Sequence, residues 1–373
     1  MRPSWTGGAR RLAKTGLACA LSWTGADRMI GALNGSLREP LVVGYHGVVE
    51  DLRAHAETAI PAILTSRATL EKHLDGIGRR RRFVSLDVLG ERLSSGEGRG
   101  QPVAAVTFDD GYANVYDHAL PVLRRKGIPA AIFVVTDLVG TSRPHLHDYL
   151  YLLLMRAYTV WRDSPRELGR LLGLLGLRLP WVESQGTESA APLPAMQALL
   201  RDLPQRDVRR VIQVLQGEVE ASARALSSLR PVSWEMLAEM RRAGFTIGSH
   251  TRSHALLTQE SRAKVLEEIR GSRQSLERRL GGTVEHFAYP GGRFDRPAIR
   301  AVRGAGYRFA YTTCGHRDPS DPMMTIPRRL LWEHACRNVL GQFSPAILDC
   351  QVHGVFDAAS RCRMDHGAER SAA

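Results

Sequence analysis

The chain of 373 residues lacks several features that would place it in a particular class of protein. It has no apolar run of the ~18 residues that a membrane-spanning helix needs. Its five cysteines include no C-x-x-C pair, so a disulfide framework is not indicated, and the pattern weakly favours a reducing compartment. No aromatic residues interleave with the basic run at 79–82, which favours a solvated face and makes nucleic acid an improbable partner.

Basic residues are in excess, with 51 Lys and Arg against 38 Asp and Glu, and the formal net charge is +13. This balance suits an anionic membrane surface or an acidic glycan. In the N-terminal segment, residues 1–38, the short apolar run 15–23 makes a poor signal peptide because Asp27 and Arg28 follow it closely. An amphipathic helix lying on a membrane explains this segment better than a signal peptide does, and a plain structural helix explains it as well as the amphipathic helix. We therefore expect a cytoplasmic protein or one that is peripheral at the inner membrane. The side chains available to an apolar face are Leu12, Leu17, Leu21 and Met29.

Short apolar runs alternate with helical patterns along the rest of the chain, which predicts parallel strands joined by helical crossovers. The predicted strands are 41–45, 103–108, 130–135, 245–248, 285–289, 308–312 and 323–326. Between the third and fourth strands, residues of about 144–230 have only helical periodicity, and we interpret them as an insertion. Its His145 and His147 are expected to be surface or core histidines. The tail 341–373 is expected to be partly disordered.

The stretch 103–112, VAAVTFDDGY, combines a buried strand with candidate site residues. A buried strand ends there in two adjacent carboxylates, Asp109 and Asp110, followed by a glycine turn. Two like charges side by side are costly unless one of them is neutralised, and a divalent metal ion would do so. A solvated turn explains these residues equally well when they are considered alone.

Other polar residues also follow the ends of predicted parallel strands, namely His46, His250 and the Pro290-Gly291 pair. In a (β/α) barrel those ends converge on one face, where active sites are built. His254 lies four residues after His250, a spacing that can place two imidazoles on one metal. Two imidazoles and a carboxylate describe a hydrolytic metal site, for which zinc is the simplest occupant and iron, cobalt or nickel would serve.

Three motifs resemble those of the polysaccharide deacetylase family, the NodB-homology carbohydrate esterases. They are TFDDGY (107–112), SHTRSH (249–254) and FAYPGG (287–292), and the phrases YHGV and GYRFAYTT resemble the family as well. The resemblance covers roughly residues 40–330 if the insertion is counted as internal, and we place the barrel domain at 39–340. It implies an irregular (β/α) barrel of the deacetylase type that removes N-linked acetyl groups from a sugar.

The resemblance also implies roles for individual residues. Asp109 matches the family's general base, and Asp110, His250 and His254 match its metal ligands. The third motif shapes the substrate groove, and the backbone amide of Gly291, after Pro290, would donate to the developing oxyanion.

Two departures from the family pattern affect these roles. The family's arginine beside the catalytic aspartate is replaced by Ala288, and we expect Arg293, Arg328 or Arg329 to take its place. The family's late Leu-x-His motif, which supplies the general acid, is not cleanly present. His334 in LLWEH is the nearest candidate.

Several residues keep two interpretations. His46 and His316 compete with His334 as the general acid, and His46 is equally well explained as a groove or a core residue. Tyr112 and Tyr289 are as consistent with packing as with a substrate platform. Arg293 is also a candidate substrate contact.

The leading expectation is therefore a metal-dependent hydrolase that removes N-acetyl groups from an amino sugar in a bacterial polysaccharide or its lipid-linked precursor. Its partner would be an N-acetylated glycan, with membrane contact through the N-terminal segment. The alternatives are an amidohydrolase acting on another N-acyl group, such as formyl, on a small or lipid-linked amine, and a catalytically silent glycan-binding barrel. The third alternative is a protein that binds a membrane surface or nucleic acid through its positive charge.

Overall fold

The computed structural model of the chain describes residues 7–33, 37, 39–55, 59–60, 63–95, 101–162, 165–183, 191–315 and 317–356. His316 and most of the predicted tail, from residue 357 onward, lie outside the described residues.

The core of the molecule is a parallel sheet rolled into a nearly closed barrel, as predicted. The strands are β1 (Leu41–Tyr45), β2 (Gly47–Val49), β3 (Leu64–Ser66), β4 (Arg82–Phe83), β5 (Val103–Phe108), β6 (Ala130–Val134), β7 (Thr246–Ser249), β8 (His286–Ala288), β9 (Phe309–Thr312), β10 (Ile326–Pro327) and β11 (Arg329–Leu330). Along the sheet the strand order is β10-β9-β8-β7-β6-β5-β1-β11, with β4 paired beside β5, and every pairing is parallel. A separate two-stranded sheet pairs β2 with β3.

The barrel closes at a seam formed by one residue. Only Arg328 separates β10 from β11, which lie at the two ends of the sheet order. Its backbone N–H donates to Thr312 of β9, and Leu331 donates to Gly44 of β1, both at 2.8 Å. The sequence predicted one strand at 323–326, whereas the structure has two strands of two residues flanking this seam.

Helices surround the barrel, and side-chain caps set several of their starts. Ser66, Ser233, Ser261 and Asp295 each accept a backbone N–H from the first turn of the helix that follows. The helices are α1 (Gly7–Thr24), α2 (Ala26–Leu33), α3 (Arg67–Gly78), α4 (Leu86–Ser95), α5 (Leu120–Lys126), α6 (Leu146–Val160), α7 (Pro165–Leu174), α8 (Pro180–Glu183), α9 (Pro192–Asp202), α10 (Gln205–Glu218), α11 (Ala223–Ser228), α12 (Trp234–Arg242), α13 (Arg262–Leu280), α14 (Arg296–Gly304) and α15 (Pro345–Val352).

The stretch interpreted as an insertion is helical and has a core of its own. Helices α6 to α11 follow β6 and precede the crossover helix α12. Buried leucines of α6, α7 and α9, among them Leu153, Leu171 and Leu199, form a cluster separate from the barrel core. This second core allows the helices to hold a fixed shape over the barrel.

The N-terminal helices α1 and α2 pack beside α15. Lys14 Nζ donates to the Ala335 carbonyl at 2.8 Å, and the buried Asp27 carboxylate lies 2.9 Å from His353 Nδ1. Among the described residues, no helix combines the length and the apolar character needed to cross a bilayer.

Candidate active site

A cavity of about 440 Å³ lies at the C-terminal ends of the barrel strands. Barrel residues form its floor, with Asp109 and Asp110 following β5 and His250 following β7. Insertion helices α9 and α10 form part of its wall. The predicted convergence of strand ends therefore brings these distant residues into one cavity.

Asp110, His250 and His254 face one another in that cavity. Asp110 Oδ1 lies 3.6 Å from His250 Nε2 and 3.3 Å from His254 Nε2. Ligand atoms on one tetrahedral ion with bonds of 2.0–2.1 Å lie about 3.3 Å apart. These three residues therefore have the separations of a shared ligand set, and they could hold a divalent metal ion.

The chemistry of the three donors fits a cation as well. His250 Nδ1 lies 2.8 Å from the Ala288 carbonyl, a contact that places the proton on Nδ1 and leaves the Nε2 lone pair facing Asp110. Asp110 Oδ1 is buried without a hydrogen-bond partner among the described residues. Burial and the neighbouring Asp109 raise the pKa of the Asp110 carboxyl well above its usual value. A cation would reverse that shift and keep the carboxylate ionised.

The backbone at the site is held in an unusual conformation. Asp110, Thr251 and His254 have φ angles of 71°, 67° and 62°, in the left-handed region that side chains other than glycine rarely adopt. Thr251 is β-branched, which makes its conformation costly, and its hydroxyl accepts the backbone N–H of His254 at 3.0 Å. These conformations turn the end of β5 and the loop after β7 so that their side chains meet.

Asp109 forms a buried, bidentate ion pair with Arg328. The two guanidinium nitrogens donate to the two carboxylate oxygens at 2.6 and 2.7 Å. Burial alone would raise the pKa of Asp109. The charge and hydrogen bonds of Arg328, together with the nearby His250 and His46, outweigh burial and hold the pKa at about 2. Of the three arginines considered from the sequence as replacements for the family's arginine, Arg328 at the barrel seam occupies the position beside Asp109.

The other predicted site residues divide into two groups. His46, Gly291 and Arg293 line the cavity. Tyr112 and Tyr289 are fully buried, and Pro290, which follows Tyr289 in the chain, is buried as well. The burial of the two rings favours the packing interpretation over the substrate platform.

His334 lies elsewhere. It borders a neighbouring cavity of about 500 Å³ with Glu50, Arg53 and Arg337. Its neighbour Trp332, rather than His334, lines the cavity that holds Asp109.

Residues of the insertion that the sequence did not assign to the site lie directly against it. His147 Nε2 is 3.6 Å from Asp110 Oδ2, and the Tyr112 hydroxyl donates to Asp148 at 2.7 Å. His145 is fully buried and packs against the Tyr112 ring. The sequence signal was three titratable side chains in four residues, H-L-H-D, at the start of an apolar helix.

Comparisons with known proteins agree with the geometry. Residues 96–160 and 191–310 match the family model described as polysaccharide deacetylase. The fold is similar to that of Streptococcus pyogenes deacetylase PplD in complex with acetate, at 16% identity and a TM-score of 0.51, over 81% of this chain and 96% of that one.

Two further solved structures are similar at lower scores. IcaB from Ammonifex degensii has 18% identity and a TM-score of 0.48, over 79% of this chain and 91% of that one. A de-N-acetylase from Aggregatibacter actinomycetemcomitans has 16% identity and a TM-score of 0.48, over 82% and 97%. No match was found among curated proteins.

Proposed function

This chain belongs to the polysaccharide deacetylase family, and we propose that it is a metal-dependent hydrolase that removes N-acetyl groups from an amino sugar of a bacterial polysaccharide or of its lipid-linked precursor. The observation that carries the proposal is the grouping of Asp110, His250 and His254 beside the Asp109–Arg328 pair in one cavity. Family members act as hydrolases on N-acetyl amide bonds, and this grouping supplies the residue types that such chemistry needs.

Asp110, His250 and His254 are the proposed metal ligands, with zinc as the preferred ion because imidazole and carboxylate suit it. A divalent ion held there supplies Lewis-acid polarisation of the amide carbonyl. Arg293, which lines the same cavity, is proposed to contact the sugar.

Asp109 is the proposed general base. Arg328 holds it ionised and fixed in orientation, so that it accepts a proton from the attacking water. With its pKa near 2 it is a weak base, and it depends on the site to make that water more acidic. The water oxygen bonds to the carbonyl carbon, the Gly291 N–H donates to the oxyanion, and the C–N bond then breaks to give acetate and a free amine.

His46 is a better-placed proton donor to the leaving amine than His334, because it lines the cavity that contains Asp109. We expect His46→Gln to lower kcat by about 10²- to 10⁴-fold, the usual contribution of a general acid or base, and His334→Gln to change it by less than about fivefold. Acetate release by the two purified variants measures this. A larger loss in His334→Gln would return the role to His334.

The direct test of the proposed function is acetate release from N-acetylated glucosamine oligosaccharides by protein loaded with Zn²⁺. Release that disappears in His250→Ala, with the variant still folded by circular dichroism, supports the proposal. A folded, metal-loaded protein that releases no acetate from any N-acetylated glycan tested would support the catalytically silent barrel instead.

One observation favours a second candidate, the hydrolysis of a longer N-acyl group. Helices α9 and α10 and the start of α6 place a wall of apolar side chains in the cavity that holds the metal ligands. The wall consists of Leu146, Met196, Leu200, Leu203 and Val208. An acyl chain directed at this wall would be recognised by apolar contact.

We expect Leu200→Gln to lower kcat/KM for N-hexanoylglucosamine by about tenfold relative to N-acetylglucosamine, since it introduces a polar group where the acyl chain would pack. Amine release from N-acetyl, N-butyryl and N-hexanoyl glucosamine gives the comparison. If the wild-type kcat/KM falls steadily as the acyl chain lengthens, the second candidate is discarded.

Membrane contact through the N-terminal helices is also proposed, with the protein cytoplasmic or peripheral at the inner membrane. The exposed residues of α1 from 12 to 24 are all uncharged, and Trp23 and Leu33 are 90% and 86% exposed. Val339 donates its N–H to Thr15 at 3.0 Å, so the exposed Val339 and Leu340 extend this apolar face. The net charge of +13 adds attraction to anionic lipid.

A Trp23→Ser, Leu33→Ser double variant is expected to bind phosphatidylglycerol-containing vesicles at least about tenfold more weakly, because each buried apolar side chain contributes about 1.5–3 kcal/mol. Co-sedimentation measures the binding. Leu174→Ser, which alters another exposed leucine, on α7 (72% exposed), is the control and should bind as the wild type does. Equal binding by the double variant would contradict membrane contact at this face.

A further inference from the structure

The start of the insertion brings a second group of buried polar side chains to the metal-ligand group. His145 precedes α6, and His147 and Asp148 lie in its first turn. They are 0%, 6% and 1% exposed, and all three contact Tyr112, which lies shortly after β5. Neighbouring imidazole centroids are 5.4 Å apart from His145 to His147 and 4.8 Å from His147 to His254, so the two groups are continuous.

Polar atoms of this group have no hydrogen-bond partner within the part of the chain that the structure describes. They are both ring nitrogens of His145, Nδ1 of His147 and one carboxylate oxygen each of Asp110 and Asp148. Leaving a buried polar group without a hydrogen-bond partner is costly, so five such atoms in one place require an explanation. A neutral imidazole has a nitrogen lone pair that can bind a metal ion, and these unpartnered ring nitrogens lie beside carboxylate oxygens.

Asp110 faces imidazoles with both of its oxygens. Oδ1 faces His250 and His254, as described above, while Oδ2 lies 3.6 Å from His147 Nε2. One ligand atom from each of Asp110, His145 and His147 lies within 4.8 Å of the other two. A carboxylate with nitrogen ligands on each side has the arrangement of a bridge between two ions, which in two-metal sites are about 3.5–4 Å apart.

We propose that Asp110 bridges two cation sites, and that the second site, formed with His145 and His147, takes a divalent transition-metal ion. Imidazole ligands select zinc, cobalt or nickel over magnesium or calcium. Tyr112 borders the second site: its hydroxyl donates to Asp148 and lies 3.0 Å from His147 Nε2, a contact that an ion bound to Nε2 would replace. Because two of the ligands come from the insertion, the second ion would fasten the insertion to the barrel. The inference rests on the proposed function only through the shared Asp110.

Metal stoichiometry tests this directly. Full-length protein is stripped with a chelator, dialysed against Co²⁺ or Zn²⁺, and analysed by elemental analysis and calorimetric titration. We expect two ions per wild-type chain and one in His145→Gln and in His147→Gln. His118→Gln, which alters a partly exposed histidine outside both groups, should keep two. Electron paramagnetic resonance of the Co²⁺-loaded wild type should show coupling between the ions, which the one-ion variants lose.

A single ion per wild-type chain at saturation would overturn the proposal and indicate that His147 donates a hydrogen bond in place of binding a metal. Two ions retained in both variants would overturn it as well. The wild-type measurement decides the matter even where a variant fails to fold. If the protein binds one ion and releases acetate fully, the second site is refuted and the proposed function stands. If it binds two ions and releases no acetate, the second site stands and the proposed function is refuted.

Discussion

Replacing Asp109 with Asn is expected to lower kcat for acetate release by about 10²- to 10⁴-fold while the protein keeps its metal. The amide retains the shape of the side chain and can still accept a hydrogen bond from Arg328, but it cannot take a proton from water. Steady-state acetate release together with metal analysis measures both effects. Because Asp109 is not one of the proposed ligands, kcat should fall while the amount of bound metal stays unchanged.

The matched control for this variant is Asp117→Asn, the same substitution at a surface carboxylate that pairs with Arg230. It should release acetate at the wild-type rate. An Asp109→Asn protein within about tenfold of the wild-type kcat would show that the base lies elsewhere, and loss of the metal in that variant would assign Asp109 to the ligand set.

Arg328→Met is expected to lower the free energy of unfolding by about 3–5 kcal/mol, the usual cost of breaking a buried ion pair from one side. The Arg328 side chain is fully buried and has no other acidic partner within ion-pair distance among the described residues. Its removal leaves the Asp109 carboxylate buried without a counter-charge, and the pKa of Asp109 should rise. Urea unfolding of the metal-free protein, followed by circular dichroism, measures the loss.

A double-mutant cycle gives the control for this prediction. Asp109→Asn with Arg328→Met removes both charges, so it should be more stable than Arg328→Met alone. Arg328→Lys keeps the charge but loses the bidentate geometry, and an intermediate loss is expected. A loss of less than about 1 kcal/mol in Arg328→Met would mean that the pair does not hold the seam of the barrel.

The chain direction of parallel strands explains why much of the site was predictable. His46, Asp109, Asp110 and His250 each follow a strand that the sequence marked by its apolar run, and strand ends in a barrel converge. The motif spacing then added His254. For these residues, the local sequence pattern and the fold class together were sufficient to predict that they lie close to one another.

Other parts of the site depend on contacts between distant segments that no local pattern encodes. Arg328 stood among three candidate arginines, and only the pairing of two-residue strands at the seam places it on Asp109. His145 and His147 were expected to be surface or core histidines. They are buried, but the docking of the insertion on the barrel also sets His147 against Asp110. Helical periodicity predicts which residues of a helix are buried, not what they are buried against.

We propose that Asp110, His250 and His254 hold one ion on which amide hydrolysis depends. The most direct measurement follows acetate release during titration of metal-stripped protein with Zn²⁺, for the wild type and for Asp110→Asn. We expect acetate release by the wild type to rise with bound metal, and we expect Asp110→Asn neither to bind an ion at this group nor to release acetate. Full acetate release by the metal-stripped wild type, or by Asp110→Asn, would contradict it.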